Sequence, residues 1–129
     1  MLFYSYVGLL ILAGGWGVVF GRIDQSRLLG LDLERLEPRV QANVMTQYRF
    51  LRAVELGFGL FAFVYRDAIH RRRPYNRLFL FTMGTGVVGR GLSRILDGSP
   101  SAAMYVFGGW ELLGVGVIFA HTRTTIEQD

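Results

Sequence analysis

Hydrophobic residues along the chain form four long stretches, at residues 2–20, 43–65, 78–96 and 102–120. Each stretch approaches the ~20 residues that a helix needs to cross a bilayer. The first contains no charged residue at all, which is typical of a membrane helix. The pattern therefore predicts an all-α fold: an integral membrane four-helix bundle, formed by a single transmembrane domain over residues 1–129.

The first stretch resembles a secretory signal peptide only in being apolar. It has no basic segment before the apolar run, and no small-residue cleavage site follows a polar segment. We expect it to be retained as the first membrane span.

The connection between the first two stretches, residues 21–42, is too long for a tight turn. Four apolar residues in it recur at the spacing of one helical face: Leu29, Leu33, Leu36 and Val40. Asp24 or Ser26 is the candidate N-cap, and Pro38 would end this helix and open the next one. The pattern predicts an amphipathic helix that lies either in the outer membrane interface or on the protein's own surface.

Arginine counts in the short connections predict the orientation. Residues 66–77 hold five arginines, and the C-terminal tail adds Arg123. The first connection holds four, interleaved with acidic residues, and residues 97–101 hold none. Because short cytoplasmic loops are enriched in basic residues, we expect both termini to be cytoplasmic.

Composition supports a membrane protein and excludes several kinds of chemistry. Apolar residues make up 51% of the chain, and 19% is charged, against about 25% in soluble domains. Cysteine is absent, which excludes disulfides, thiolate metal sites and thiol nucleophiles. All 14 basic residues are arginine, so lysine chemistry is excluded too. The net charge of +4 suits a membrane surface better than nucleic acid, and we expect no nucleic-acid partner.

Small residues recur every four positions on three of the predicted spans. These positions are Ala13, Gly17 and Gly21, then Thr85, Gly89 and Ser93, and finally Gly116 and Ala120. Small residues allow membrane helices to approach closely. The stripes predict helix packing within the chain or, alternatively, the seam of a homo-oligomer.

Charged residues inside the predicted spans are the most informative ones, because a charge is costly within a bilayer. With the predicted orientation, all six fall in the outer half: Arg49, Arg52, Glu55, Arg90, Arg94 and Glu111. On the third span, Arg90, Ser93, Arg94 and Asp97 share one helical face. These eight residues form the predicted charge cluster.

Two interpretations of the charge cluster remain open, and both can hold. In one, the arginines pair with Glu55 and Glu111 as a structural network, with Arg52 and Glu55 three residues apart on one helix. In the other, surplus positive charge holds a carboxylate or phosphate in a pocket. Either way, we expect Arg90 to face the bundle interior within pairing distance of Glu111 or Glu55.

Several residues in fixed order carry a family resemblance. They are Arg49-Phe50-Leu51, Gly57-x-Gly59, Gly89-Arg90-x-x-Ser93-x-x-x-Asp97-Gly98-x-Pro100, and Glu111 in the last span. This order resembles an uncharacterised bacterial family of small four-span membrane proteins, domain of unknown function 4345. The resemblance implies that Arg49, Arg90, Ser93, Asp97 and Glu111 belong to one site in a bacterial inner-membrane protein. It implies no catalytic role.

For function, the sequence favours a non-enzymatic accessory, scaffold or lipid-binding protein. Its expected partners are membrane lipids and, in addition, a larger membrane complex or further copies of the chain. The alternatives are a unit that binds or transports an anionic amphiphile, and a membrane enzyme that uses Glu55 or Glu111 as an acid–base group. His70 and His121 have no second histidine at ligand spacing, so we expect no metal and no cofactor.

Overall fold

The structure, a computed structural model, describes residues 2–123 and Ile126. All the secondary-structure elements in this part of the chain are helices. They are α1 (Leu2–Arg27), a 3-10 helix (Leu33–Arg35), α2 (Pro38–Val64), α3 (Arg66–Arg71), α4 (Arg73–Leu96) and α5 (Ala102–Thr122). The predicted all-α class is confirmed, and each predicted apolar stretch lies in one of the four long helices, except that the second extends one residue past α2 to Tyr65.

The long helices extend beyond the apolar stretches. Helix α1 continues past a kink at Phe20, where φ is −104° and ψ is 25°. Helix α4 begins at Arg73 with a proline in its first turn, where the fixed φ of proline suits a helix start. Basic residues that the sequence assigns to a connection therefore lie in α3 and in the first turn of α4.

The predicted amphipathic helix between the first two spans is wrong. Between the end of α1 at Arg27 and the start of α2 at Pro38 lies only the 3-10 helix, which Asp32 caps by accepting a hydrogen bond from the Glu34 N–H at 3.2 Å. Gly30 has a φ of +65°, a left-handed conformation that ends the preceding helix, and Pro38 already begins α2. Too few residues remain between these two points for the apolar periodicity to form a helix.

The chain divides into two compact units. The α1–α2 unit is Val7–Phe61, and the α4–α5 unit comprises the described residues among 1–6 and 62–129.

In the α1–α2 unit, the two helices are in close backbone contact. A Cβ atom added at Gly14 would lie 2.6 Å from the Leu56 backbone nitrogen. One added at Gly17 would lie 2.5 Å from the Arg52 side chain, and Gly21 faces Tyr48. The predicted small-residue stripe on the first span therefore does pack within the chain at Gly17 and Gly21.

In the α4–α5 unit, the core is aromatic at one end. Phe79 is fully buried, and its ring lies 5.6 Å from that of Phe3 between centroids. The buried Asn76 side chain donates to the Ile69 carbonyl at 3.0 Å and to the Thr122 hydroxyl at 2.9 Å. These bonds fix the start of α4 against the end of α5.

The glycines of the other two small-residue stripes do not pack against described residues. A Cβ atom at Gly89 or Gly116 would meet nothing within 4 Å. Helix α5 instead contacts its neighbours through Gly114, which faces Met83 and Tyr6, and through Gly108, which faces Arg90.

Two of the described helices, α1 and α5, are long and apolar enough to cross a membrane. The sequence-based prediction of four membrane spans stays a prediction.

Candidate functional site

The charged residues of α2 are organised around Arg52. Its Nη1 atom donates to Glu55 Oε2 at 2.7 Å, so the predicted pair on one helix is present. Its Nε atom donates to the Tyr48 hydroxyl at 2.9 Å. Arg52 and Glu55 are partly buried, with side-chain exposures of 20% and 26%.

The Arg52–Glu55 pair is the end of a longer chain of hydrogen bonds. The Tyr48 hydroxyl donates to Asp24 Oδ2 at 2.8 Å, and the Trp16 indole N–H donates to Asp24 Oδ1 at 3.0 Å. Asp24 is 5% exposed, so its carboxylate is held by donors rather than by water. Two residues of α1 and three of α2 thus form one polar network.

Arg49 takes no part in this network. It is exposed, and it makes no ion pair with any residue that the structure describes.

The second pair joins α4 to α5. Arg90 Nε lies 2.6 Å from Glu111 Oε2, and Arg90 Nη2 lies 2.8 Å from Glu111 Oε1. This is the two-point geometry in which arginine binds a carboxylate most strongly. Of the two predicted partners of Arg90, Glu111 and Glu55, the structure shows Glu111. The Arg90 side chain is 41% exposed, however, so within the described chain it lies at an open surface rather than in an enclosed interior.

Arg90 reaches Glu111 because small and flexible residues surround it. A Cβ atom at Gly108 would lie 3.4 Å from Arg90 Cδ, so the arginine stem passes over this glycine. Arg90 Nη1 also lies 3.9 Å from the Met104 sulfur, a weak acceptor.

The other predicted residues of α4 follow on the same helix. The Ser93 hydroxyl donates to Asp97 Oδ2 at 2.7 Å. Arg94 is exposed and makes no ion pair with any described residue, although Asp97 is only three positions away. Its guanidinium charge is therefore not paired within this part of the molecule.

A cavity of about 380 Å³ lies between α4 and α5 beside these residues. Three polar residues line it, Arg90, Ser93 and Arg94, and its apolar walls include Val87, Pro100, Met104 and Tyr105. We call it the Arg94 cavity. It combines cationic groups with apolar walls, which is the chemistry that an anionic amphiphile requires.

Five of the eight predicted residues lie in the α4–α5 unit, where Arg90 pairs with Glu111 and Ser93 bonds to Asp97. The remaining three lie in the α1–α2 unit: Arg49, Arg52 and Glu55. The single charge layer that the sequence predicts across both units stays a prediction.

The sequence pattern does not predict Asp24, Tyr48 and Trp16 as members of a polar network. The pattern makes Asp24 a candidate N-cap of the predicted amphipathic helix, but Asp24 lies inside α1. A signal for it does exist, because Asp24 continues the face of Gly17 and Gly21 at spacings of four and three residues.

Comparison with known proteins gives a family but no activity. A search of curated proteins and a search of solved structures each returned no match. The family model described as "Domain of unknown function (DUF4345)" matches residues 1–121. With nearly its whole length matched, and with the Gly89-Arg90 element inside the matched region, the chain belongs to the DUF4345 family.

Proposed function

We propose that this chain is an integral membrane protein with four spans, formed by α1, α2, α4 and α5, and with both termini in the cytoplasm of a bacterial cell. Burial supports this proposal. The core helix of a soluble protein is also apolar, but most of it is buried. In α5, by contrast, 11% of the most apolar 18-residue segment is buried. Its exposed residues include Val106, Leu112 and Phe119. Lipid would cover them.

The arginines of α4 support the span that is weakest by composition. Arg73 and Arg94 are 21 positions apart (94 − 73), which corresponds to about 32 Å along a helix. The hydrocarbon core of a bilayer is about 30 Å thick. Both guanidinium groups would therefore lie near head groups, with the apolar middle of α4 between them.

We further propose that the protein is a non-enzymatic lipid-binding accessory protein that holds an anionic amphiphile in the Arg94 cavity. The observation that carries this proposal is that Arg94 lines the cavity without an ion pair among the described residues, while Glu111 neutralises Arg90 beside it. The anionic group would bind Arg94, and the apolar part would lie against Met104 and Tyr105.

The hydrogen bonds of the two glutamates favour binding over catalysis. Both carboxylate oxygens of Glu111 accept from Arg90, and Glu55 accepts from Arg52. A general base needs a carboxylate that can take a proton from substrate. Each glutamate already binds a guanidinium through its carboxylate group, so we assign neither of them this task.

The test is lipid retention by the full chain. The protein is extracted from membranes with detergent, and bound lipid is counted per chain by native mass spectrometry. We expect Arg94→Gln to lose an anionic lipid that the wild-type chain retains. Arg39→Gln, which removes an exposed arginine from the first turn of α2, is the matched control and should retain it. Equal retention by wild type and Arg94→Gln would refute the cavity proposal.

The orientation has its own test, because the native chain offers no competing thiol. Ser99→Cys, between α4 and α5, should react with an impermeant maleimide added outside the cell. Asp67→Cys, in α3, should react only after the membrane is opened. The opposite pattern would refute the proposed orientation.

A further inference from the structure

A second cavity, of about 470 Å³, lies at the other end of the α4–α5 pair. Three arginines line it: Arg73 and Arg77 from α4, and Arg123 after α5. Its apolar walls include Leu80, Phe81 and Phe119. We call it the Arg77 cavity. Nothing in the function proposed above uses it.

The three arginines of the Arg77 cavity form a positive group that no described carboxylate neutralises. None makes an ion pair with a residue that the structure describes. Arg73 and Arg77 are four positions apart on one helix, so their side chains are neighbours, and like charges at this spacing destabilise a helix. A bound anion would remove that repulsion.

A buried hydrogen bond holds the base of the Arg77 cavity in place. Asn76 and Thr122 line it, are 4% and 1% exposed, and hydrogen-bond to each other at 2.9 Å. This bond fixes the distance between the helix segments that carry Arg77 and Arg123. In addition, among the described residues the N-cap residue Arg72 makes no side-chain hydrogen bond to the start of α4, where a helix dipole favours negative charge.

The apolar walls distinguish a lipid from a free anion. The Phe81 and Phe119 side chains are 70% and 55% exposed, and they continue from the arginines along α4 and α5. A phosphate alone would leave them uncovered, whereas an acyl chain attached to that phosphate would lie on them. Basic pockets between membrane helices on the cytoplasmic side bind phospholipid head groups in this way.

We propose that the Arg77 cavity binds the phosphate head group of an anionic phospholipid in the cytoplasmic leaflet. This inference rests on the membrane location proposed above, but it does not rest on the Arg94 cavity. Arg73, Arg77 and Arg123 would hold the phosphate, and Phe81 and Phe119 would contact the first part of an acyl chain.

The experiment uses the full chain with dioleoylphosphatidylglycerol, and with dioleoylphosphatidylcholine as the lipid of equal chain length without net charge. Native mass spectrometry counts each lipid bound. The triple variant R73Q/R77Q/R123Q should lower the preference for phosphatidylglycerol at this site by at least about tenfold, since three basic contacts are lost. The control R22Q/R27Q/R39Q removes the same charge from exposed positions of α1 and α2 and should stay within about twofold of wild type.

The number of lipid molecules bound per chain distinguishes the two cavities. We expect two retained phosphatidylglycerol molecules per chain, of which R94Q removes one and R73Q/R77Q/R123Q removes the other. Loss with R94Q alone would overturn this inference and leave the proposed function standing. Loss with the arginine triple alone would do the reverse.

Two further results would overturn the proposal. Equal loss in both triple variants would mean general charge attraction rather than a site. Displacement of the lipid by millimolar inorganic phosphate would identify a site for a free anion.

Discussion

The two units each contain an arginine–glutamate pair, but the pairs have different surroundings. In the α1–α2 unit, Arg52 and Glu55 sit on one helix and connect through Tyr48 to the buried Asp24. In the α4–α5 unit, Arg90 and Glu111 bridge two helices beside a cavity, with Arg94 unpaired among the described residues. We call the first arrangement, from Trp16 and Asp24 to Glu55, the closed network. We call the second, Arg90, Arg94 and Glu111, the open group.

The difference indicates what each unit is built for. In the closed network, Asp24 is buried and bonded to Trp16 and Tyr48, so its removal would leave donors unsatisfied in a tightly packed region. In the open group, Arg94, which has no ion pair among the described residues, lines the Arg94 cavity. We interpret the first as a structural clamp between α1 and α2 and the second as a binding surface.

The largest effect should come from removing the acceptor of the closed network. Asp24→Ala leaves the Trp16 N–H and the Tyr48 hydroxyl without their acceptor and should cost about 3 kcal/mol of unfolding free energy. Thermal unfolding in detergent measures it. Asp67→Ala, at an exposed carboxylate of α3, is the control and should change stability by less than about 0.5 kcal/mol. Equal effects at the two sites would remove the distinction between a clamp and ordinary surface charge.

Backbone contact gives the next effect. Gly14→Ala places a methyl group 2.6 Å from the Leu56 backbone nitrogen and should destabilise the α1–α2 unit by about 2 kcal/mol. The neighbouring Gly15→Ala meets nothing within 4 Å and should be neutral or stabilising, because alanine favours a helix. The pair of variants is compared by the same unfolding assay. If Gly15→Ala is the more harmful of the two, the close approach of α1 and α2 is refuted.

The smallest effect on stability is expected at the open pair. Arg90→Ala should cost about 1 kcal/mol, because polar contacts between membrane helices contribute free energies of this size. Adding Glu111→Gln should recover part of that loss, since the second change removes the carboxylate left without its partner. A full double-mutant cycle measures the coupling. Zero coupling would mean that the pair contributes nothing to holding α4 and α5 together.

The sequence predicts a carboxylate partner for Arg90 because the prediction needs only the cost of an unpaired charge within a bilayer. Arg90 lies too deep in an apolar stretch to go unpaired, and Glu111 is the one acidic residue of the following stretch. Arg52 and Glu55 are predicted on equally simple grounds, since residues three apart on a helix are neighbours.

The sequence does not predict the Asp24 network, because that network depends on how far α1 extends. Asp24 looks like a residue of the connection because Arg22, two positions before it, ends the apolar run. Only when α1 continues through the kink at Phe20 does Asp24 reach Tyr48 on α2. The same extension removes the room for the predicted amphipathic helix. Helix ends set by tertiary contacts are not encoded in hydrophobic periodicity.

The open glycines of α4 have a consequence for the evolution of the chain. Gly84, Gly86 and Gly89 would each accept a methyl group with no atom of the described residues within 4 Å, and glycine inside a helix costs about 1 kcal/mol relative to alanine. Three alanine substitutions would thus offer an easy route to a more stable helix. Fitness measured for all single substitutions in a cell would show whether that route is open. Rejection of alanine at these positions would outline the footprint of whatever molecule lies against this face of α4.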